Sequence, residues 1–262
     1  MTPQPLKISL TQTNSQYDWD QFNTEAYYRQ YTAGVIWEDR CLGRFVAGAL
    51  LELGVPLKSL SLGIDACNGG VLRGPMMIAP FIKDGGRLHW SDYGAPQLAS
   101  AKAVIKRGKQ GNLGSWAAHQ THFGECHPAW SDAGLRACRL GESVKQTIFE
   151  LPKNTYDIGI TCFGPESLTG DYAEWERAVA AFFGAVKAGH PAIMLYMVNS
   201  SGYGSAGQAF PATPIENNDV LRVAGQYLNK TQLFFVSASH DARPKDDPFG
   251  YDGMGAIVGL RT

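Results

Sequence analysis

The sequence lacks any apolar run long enough to span a membrane, any C-x-x-C pair and any excess of charge of one sign. Its longest apolar stretches, such as residues 192–198, have the length of a buried strand. Lys and Arg total 23 against 24 Asp and Glu, so no basic field points to nucleic acid or an anionic membrane. We therefore expect a small-molecule ligand and neither a nucleic-acid nor a membrane partner. The oligomeric state stays unknown at this stage.

Two further absences, of a signal peptide and of paired cysteines, bear on the cellular compartment of the protein. Residues 1–20 lack the charged and then apolar pattern of a signal peptide, and we expect the polar residues 1–15 to form a frayed arm. The five cysteines are odd in number and unpaired in spacing, which is typical of free thiols in a reducing environment. These features together predict a cytoplasmic location.

What the sequence does contain is an alternation of strand and helix patterns. Stripes of apolar residues at helical spacing occur in residues 95–107 and 172–188, whereas residues 108–141 are predicted to be irregular. The predicted strands are residues 60–65, 88–91, 146–150, 156–163, 192–198, 232–237 and 255–260. Alternating units that end in two strands predict an α/β fold with a mainly parallel sheet and an antiparallel edge. We expect one domain, with an N-terminal helical cap at residues 16–56 and a core at residues 57–262.

A glycine turn follows the first strand. The full G-x-G-x-x-G fingerprint is missing, but Asp65 ends the strand and Asn68, Gly69 and Gly70 follow. Asp92 ends the next strand, 27 residues after Asp65, where a carboxylate can accept both hydroxyls of a ribose. This pairing predicts a nucleoside site. The alternatives are a plain β-turn for the glycines and a helix N-cap for Asp92.

Aromatic residues are crowded near the N-terminus. Tyr27, Tyr28 and Tyr31 fall within about one helical turn, and Trp37 follows closely. Each tyrosine on its own is explained by packing onto the core. The cluster as a whole is typical of a cap over a ligand cleft, because such a cap needs rigid amphipathic side chains.

The order of several segments resembles one enzyme family. Residues 22–31 (FNTEAYYRQY), 65–81 (DACNGGVL…PF) and 88–98 (LHWSDYGAPQL) occur in this order. Residues 147–169 (TIFELP…YDIG…FGPESLT) and 199–212 (NSSGY…FPA) complete the set. Together they resemble bacterial S-adenosylmethionine (SAM)-dependent methyltransferases similar to the nicotinamide, phenylethanolamine and thioether methyltransferases, over residues 17–261. The resemblance implies a Rossmann-like class I fold with a seven-stranded sheet.

The resemblance also implies a SAM-binding set. Tyr27 and Tyr31 would hold the methionine carboxylate and cover the ligand, and Asp92 would hold the ribose. Phe163 would lie beside the sulfonium. The remaining implied cofactor contacts come from the glycine loop and from the surroundings of the adenine, namely Asp65, Asn68, Gly69, Tyr93, Gln97, Thr147 and Ile148.

The implied reaction is methyl transfer to a small molecule, with an amine nitrogen as the expected acceptor, in bacterial secondary metabolism. The expected catalytic residues are Tyr27, Tyr31, Phe163 and Glu166, since aromatic faces accept a sulfonium and Glu166 or a tyrosine can take a proton from an amine. Capping of the following helix is the alternative for Glu166. Expected acceptor contacts are Tyr28, Ser167, Asn199 and Tyr203, although the loop that carries Asn199 and Tyr203 also fits a flexible connection.

One residue departs from the family pattern, because Cys67 stands where the family has glycine. We expect a small space-filling role for it rather than a nucleophile. The departure keeps two other functions open. One is an enzyme that cyclises SAM to azetidine-2-carboxylate and methylthioadenosine, and the other is a SAM-binding protein without catalysis.

A last cluster is His119, His122, Cys126 and His127. Its spacing matches no standard zinc module, so we predict a polar loop over the cleft and no metal site.

Overall fold

Seven strands form the central sheet. The computed structural model describes residues 13–31, 34–238 and 250–262, with the side chains of residues 30 and 31 outside the description. The sheet strands are β1 (Leu60–Ala66), β2 (Ile82–Asp92), β3 (Gly141–Lys145), β4 (Ile158–Cys162), β5 (Pro191–Val198), β8 (Leu228–Ser237) and β9 (Gly253–Arg261). They lie side by side in the order β3-β2-β1-β4-β5-β9-β8. Two short strands, β6 (Tyr203–Ser205) and β7 (Gln208–Phe210), form a separate hairpin.

The strand directions confirm a mostly parallel sheet. β1 to β5 pair in parallel, and β9 runs antiparallel to both of its neighbours, β5 and β8. The pairing of β8 with β9 confirms the expected antiparallel edge, and the reversed strand β9 is the second from that edge. β8 occupies the edge and hydrogen-bonds only to β9 within the described sheet.

Helices cover both faces of the sheet. They are α1 (Thr24–Tyr31), α2 (Trp37–Glu52), α3 (Arg73–Ile78), α4 (Ala95–Lys109), α5 (Trp116–Cys126), α6 (Ala133–Leu140), α7 (Gly164–Ser167), α8 (Tyr172–Ala185) and α9 (Asn217–Ala224). The core has two parts, one on each face. Side chains of α2 to α6 pack on one face, and those of α8 and α9 pack on the other. No helix in the described ranges is long and apolar enough to cross a membrane.

Two segment predictions are wrong. Residues 108–141 are largely helical, forming the end of α4 and the helices α5 and α6, because their aromatic and histidine side chains are buried against the core. Residues 146–150 are not a strand. β3 ends at Lys145, and Thr147 then caps a single 3-10 turn, Ile148–Glu150. Tertiary packing outweighs the weak local pattern of both segments.

Asp157 stabilises the sheet at the edge where the parallel strands begin. Its carboxylate accepts the N–H groups of Ser61 and Leu62 at 2.8 and 3.0 Å, and Lys187 Nζ donates to it at 2.7 Å. Burial raises the pKa of Asp157, but these donors offset burial, and the pKa lies below its usual range. The carboxylate therefore holds the starts of β1 and β4 together.

Asp157→Asn is expected to lower the free energy of unfolding by about 1–3 kcal/mol, because an amide leaves buried N–H groups poorly paired. Urea unfolding followed by tryptophan fluorescence measures this loss. An unchanged midpoint would contradict the assigned role of Asp157.

Candidate functional site

The cleft lies at the carboxyl edge of the parallel strands, between β1 and β4. The chain moves outward from β1 to β2 and β3 and then returns to the other side of β1 as β4, which makes this the switch point of the topology. Ligands of open α/β sheets bind at such a point. The cleft contains about 890 Å³ of empty space, part of it open to solvent.

Two residues with left-handed backbone mark the ends of these strands. Cys67 follows β1 with φ of 56°, and Phe163 follows β4 with φ of 60°. A Cβ on Gly164 would lie 2.7 Å from Cys67 Cβ, so the two strand ends pack closely. Cys67 therefore keeps the left-handed backbone conformation that is expected of the family's glycine. For a residue with a side chain, this conformation costs about 1–2 kcal/mol of folding free energy. Burial raises the pKa of the Cys67 thiol well above its usual value, which leaves a neutral thiol.

This backbone conformation predicts an order of stability at position 67. Cys67→Gly is expected to change the free energy of unfolding by less than about 1 kcal/mol. The substitution relieves left-handed strain in the folded state, but glycine also raises the conformational entropy of the unfolded chain, and the two effects oppose each other. Cys67→Val is expected to cost about 2 kcal/mol or more, because β-branched residues tolerate this region poorly. Urea titrations measure both changes.

The matched control is Cys162→Val, which places the same change in the regular strand β4. We expect it to cost less than Cys67→Val. Equal losses at the two positions would contradict strain at Cys67.

Asp92 joins the glycine loop to the start of α4. Its carboxylate accepts N–H groups from Gly69 and Tyr93, both at 2.8 Å, and from Gly94 at 3.2 Å. Burial raises the pKa of Asp92, while these three donors oppose the rise. Gly94 is the N-cap of α4, so the alternative of Asp92 as N-cap is wrong. Gly70 must be glycine, because its φ is 77° and a Cβ would approach Ser100 Cβ to 2.5 Å.

Asp65 lies buried beneath this loop and outside the cleft lining. Asn68 Nδ2 donates to its Oδ2 at 2.6 Å, and Oδ1 has no hydrogen-bond partner among the described residues. Burial raises the pKa of Asp65 to about 8. A neutral carboxyl therefore lies under the loop at neutral pH, and a nearby cation would favour its ionisation.

The side of the cleft beside β2 has polar and apolar groups. Gln97 is buried, and its Oε1 has no hydrogen-bond partner among the described residues. Tyr93 is exposed, with Lys145 Nζ 5.2 Å from its ring centre. The Gln146 N–H donates to the Asp92 carbonyl at 2.9 Å and places Thr147 and Ile148 along the cleft.

Aromatic rings form the wall opposite the sheet. Phe22 and Tyr203 lie 5.3 and 5.7 Å from the Tyr27 ring centre, and Phe210 lies 5.4 Å from that of Trp19. The Tyr203 hydroxyl donates to the Ser167 carbonyl at 3.1 Å. The hairpin of β6 and β7 therefore packs with the N-terminal segment to cover the cleft.

Residues 13–23 are held in place by hydrogen bonds to three parts of the core. The Asn14 N–H donates to Glu174 at 2.6 Å, and the Ala95 N–H donates to Asp20 at 2.9 Å. The Ser205 hydroxyl donates to the Asn23 carbonyl at 2.7 Å. The described end of the expected frayed arm, residues 13–15, is thus docked on the core, and residues 1–12 lie outside the described residues.

Eleven of the residues expected from the sequence line the cleft together. They are Tyr27, Asn68, Gly69, Asp92, Tyr93, Gln97, Thr147, Ile148, Phe163, Ser167 and Tyr203. Asp65 lies below them, as described. The side chain of Tyr31 lies outside the described part of the chain.

Three expected site residues lie elsewhere. Tyr28 hydrogen-bonds to Ser115 and lines a separate cavity beside α4. Asn199 is exposed and donates to Asp252 at 2.8 Å. Glu166 is fully buried behind the cleft, where its Oε1 accepts the Met197 N–H at 2.9 Å and burial raises its pKa to about 8.

The capping alternative for Glu166 is wrong, because Asp171 caps α8 by accepting the Glu174 N–H at 2.7 Å. The histidine cluster is not a loop over the cleft either. His119 and His122 are buried in α5, and His127 caps the next 3-10 turn. Within the described part of the chain, no group of three or more His, Cys, Asp or Glu side chains is placed to hold a metal ion.

Sequence reasoning missed Arg73, the first residue of α3. It lines the cleft with only 5% exposure, forms an ion pair with Asp39 and lies 5.5 Å from the Phe163 ring centre. The only available signal was its position three residues after the glycine loop. Its partner Asp39 gave no signal, because it looks like an ordinary polar residue in the first turn of a helix.

Known proteins match this chain in structure rather than in sequence. No family profile matches the sequence, and no curated protein matches it. A SAM-dependent methyltransferase from Clostridium acetobutylicum is 12% identical, with a TM-score of 0.52 over 90% of this chain and 96% of that chain. The N-methyltransferase NodS from Bradyrhizobium japonicum is also 12% identical, with a TM-score of 0.49 over 86% and 98% of the two chains. The chain therefore has the Rossmann-like fold of class I SAM-dependent methyltransferases.

Proposed function

We propose that this protein is a methyltransferase that binds SAM and methylates a small molecule, with an amine nitrogen as acceptor. The observation that carries the proposal is Asp92, a partly buried carboxylate at the tip of β2 that accepts the Gly69 N–H, at the switch point of the sheet. An acidic group at this place is suited to the two hydroxyls of a ribose. The resemblance of the motifs adds support, and from it we further propose a role in bacterial secondary metabolism. From the unpaired cysteines we propose a cytoplasmic location.

The polar groups of the cleft fit this ligand. Gln97 Oε1 is a buried acceptor of the cleft lining without a described partner, so a ligand that carries N–H groups would satisfy it. Phe163 and Tyr27 present aromatic rings, which favour a sulfonium as they favour other cations. We propose that Asp92 holds the ribose, that Gln97, Tyr93, Thr147 and Ile148 surround the adenine, and that Phe163 lies beside the sulfonium.

When bound, SAM supplies an electrophilic methyl carbon for an in-line displacement. The chain contributes mainly position, because alignment of the reacting atoms supplies most of the rate in such transfers. The docked residues 13–23 and the β6–β7 hairpin cover part of the cleft. Ser167 and Tyr203 are proposed to contact the acceptor, whereas Tyr28 and Asn199 lie too far from the cleft lining for this role.

Glu166 is not proposed as the base for a charged amine, because it is fully buried behind the residues that line the cleft. A carboxyl with a pKa of about 8 is mostly protonated at neutral pH, so it becomes a base only when a cation nearby lowers this pKa. The Tyr27 hydroxyl lines the cleft but is a poor base, because burial raises its pKa above the usual value of 10.0. The acceptor is therefore expected to react as the neutral amine, and the rate is expected to rise as the pH rises toward the pKa of that amine.

The test is to titrate the protein with SAM and S-adenosylhomocysteine by calorimetry and to assay a library of amines with methyl-labelled SAM. Binding followed by labelled amine and S-adenosylhomocysteine supports the proposal. Methylthioadenosine formed from SAM alone would replace it with the cyclase function, which Cys67 leaves open. Binding without turnover would favour a non-catalytic role, and no binding would overturn the proposal.

A further inference from the structure

Among the described residues that line the cleft, Arg73 is the one basic residue and Asp92 is the one acidic residue. Asp92 ends β2, whereas Arg73 lies over Phe163 at the end of β4, on the other side of β1. The two charges therefore lie on opposite sides of the switch point. A ligand that spans the cleft meets an acceptor of hydroxyl groups on one side and a guanidinium on the other.

The guanidinium is held in one orientation. Arg73 Nε lies 2.9 Å from Asp39 Oδ1, and Nη2 donates to Asp39 Oδ2 at 3.0 Å. Asp39 is itself only 2% exposed, with His119 Nε2 3.8 Å from its Oδ2. This buried ion pair, with its one hydrogen bond from Nη2, orients the guanidinium against Asp39, and Nε has no hydrogen-bond partner among the described residues. An arginine carries five N–H donors, and the structure shows no protein partner for its Nη1 group within the described residues.

The pair also explains how an arginine can lie beside Phe163. A bare guanidinium next to the proposed sulfonium position would repel it, and a buried unpaired charge is costly. Asp39 neutralises this charge while leaving donors directed away from it. The guanidinium of Arg73, once paired with Asp39, still attracts a carboxylate but repels a neighbouring cation only weakly.

We propose that Arg73 binds the carboxylate of the ligand's amino-acid portion and so selects adenosyl compounds that carry this carboxylate. The inference rests on the proposed function, because it names the residue that receives one end of SAM. It adds Arg73 to Tyr27 and Tyr31, the residues to which the resemblance gives this task. Asp39 acts through Arg73 as a positioning residue.

The test compares two ligands that differ only in the carboxylate, S-adenosylhomocysteine and S-adenosyl-3-thiopropylamine, by calorimetry. The wild-type protein is expected to bind the first more tightly. Arg73→Gln is expected to weaken binding of S-adenosylhomocysteine by about 10- to 100-fold, the loss typical of a charged hydrogen bond. Binding of the thiopropylamine is expected to change less than about threefold.

A second variant guards against misfolding. Arg73→Gln alone leaves Asp39 buried without its partner, so the double variant Arg73→Gln with Asp39→Asn removes both charges and is expected to show the same loss of preference. Arg136→Gln is the matched control, since Arg136 is equally buried but donates to the Ala79 carbonyl at 3.0 Å, away from the cleft lining. It is expected to lower stability and keep the preference.

The outcomes separate the two proposals. A folded double variant that keeps the wild-type preference for S-adenosylhomocysteine would overturn the role of Arg73 and leave the proposed function intact. Wild-type protein that binds both ligands equally would also overturn it. Wild-type protein that binds neither would overturn the proposed function, and this inference with it.

Discussion

Asp92→Ala is expected to weaken binding of S-adenosylhomocysteine by about 100-fold or more. A carboxylate that accepts two ribose hydroxyls makes two charge-assisted hydrogen bonds, and each contributes about 1.5–3 kcal/mol. The substitution also removes the acceptor of three backbone N–H groups, so the glycine loop loses its anchor to α4. Calorimetric titration of the folded variant measures the loss.

The matched control is Asp157→Asn, because Asp157 also accepts backbone N–H groups but lies at the opposite edge of the sheet. We expect this control to be destabilised and to bind S-adenosylhomocysteine with the wild-type affinity. Asp92→Asn keeps one oxygen acceptor and is expected to fall between wild type and Asp92→Ala. Wild-type affinity in folded Asp92→Ala would show that the nucleoside lies elsewhere.

The free energy of unfolding of the ligand-free protein is expected to fall as the pH rises from 5 to 8. The pKa values of Asp65 and Glu166 are raised by burial to about 8. A carboxyl whose folded pKa lies above its unfolded value adds stability that is complete below the unfolded pKa, near 4, and is lost as pH rises through the folded value. Each group contributes a slope of up to about 1.4 kcal/mol per pH unit.

Urea unfolding at pH 5, 6.5 and 8 measures this slope. The double variant Asp65→Asn with Glu166→Gln is expected to flatten it, because neither amide titrates. Asp157→Asn is expected to leave the slope unchanged, since the pKa of Asp157 lies below its usual range and its own contribution is lost only at acid pH. A wild-type protein whose stability rises from pH 5 to 8 would contradict the burial of the two neutral carboxyls.

Local pattern was enough for the two strands and the glycine turn that carry Asp65 and Asp92. Apolar runs and turn residues influence the backbone over only a few positions of the chain. They therefore suffice to predict the strand that carries Asp65, the glycine turn and the strand that ends at Asp92. The same applies to α8, whose apolar stripe has a clear helical period. Patterns of this kind fail in residues 108–141, where burial of histidine and aromatic side chains decides the structure.

The sequence by itself therefore determined the strands that carry Asp65 and Asp92, helix α8 and the position of the glycine turn, since each depends on neighbours in the chain. Only the tertiary structure decided the pairing of Arg73 with Asp39, which are 34 residues apart, and the burial of Glu166. It also decided that residues 13–23 close over the cleft. These contacts join distant segments, and their strength comes from exclusion of water, which no local pattern of residues records.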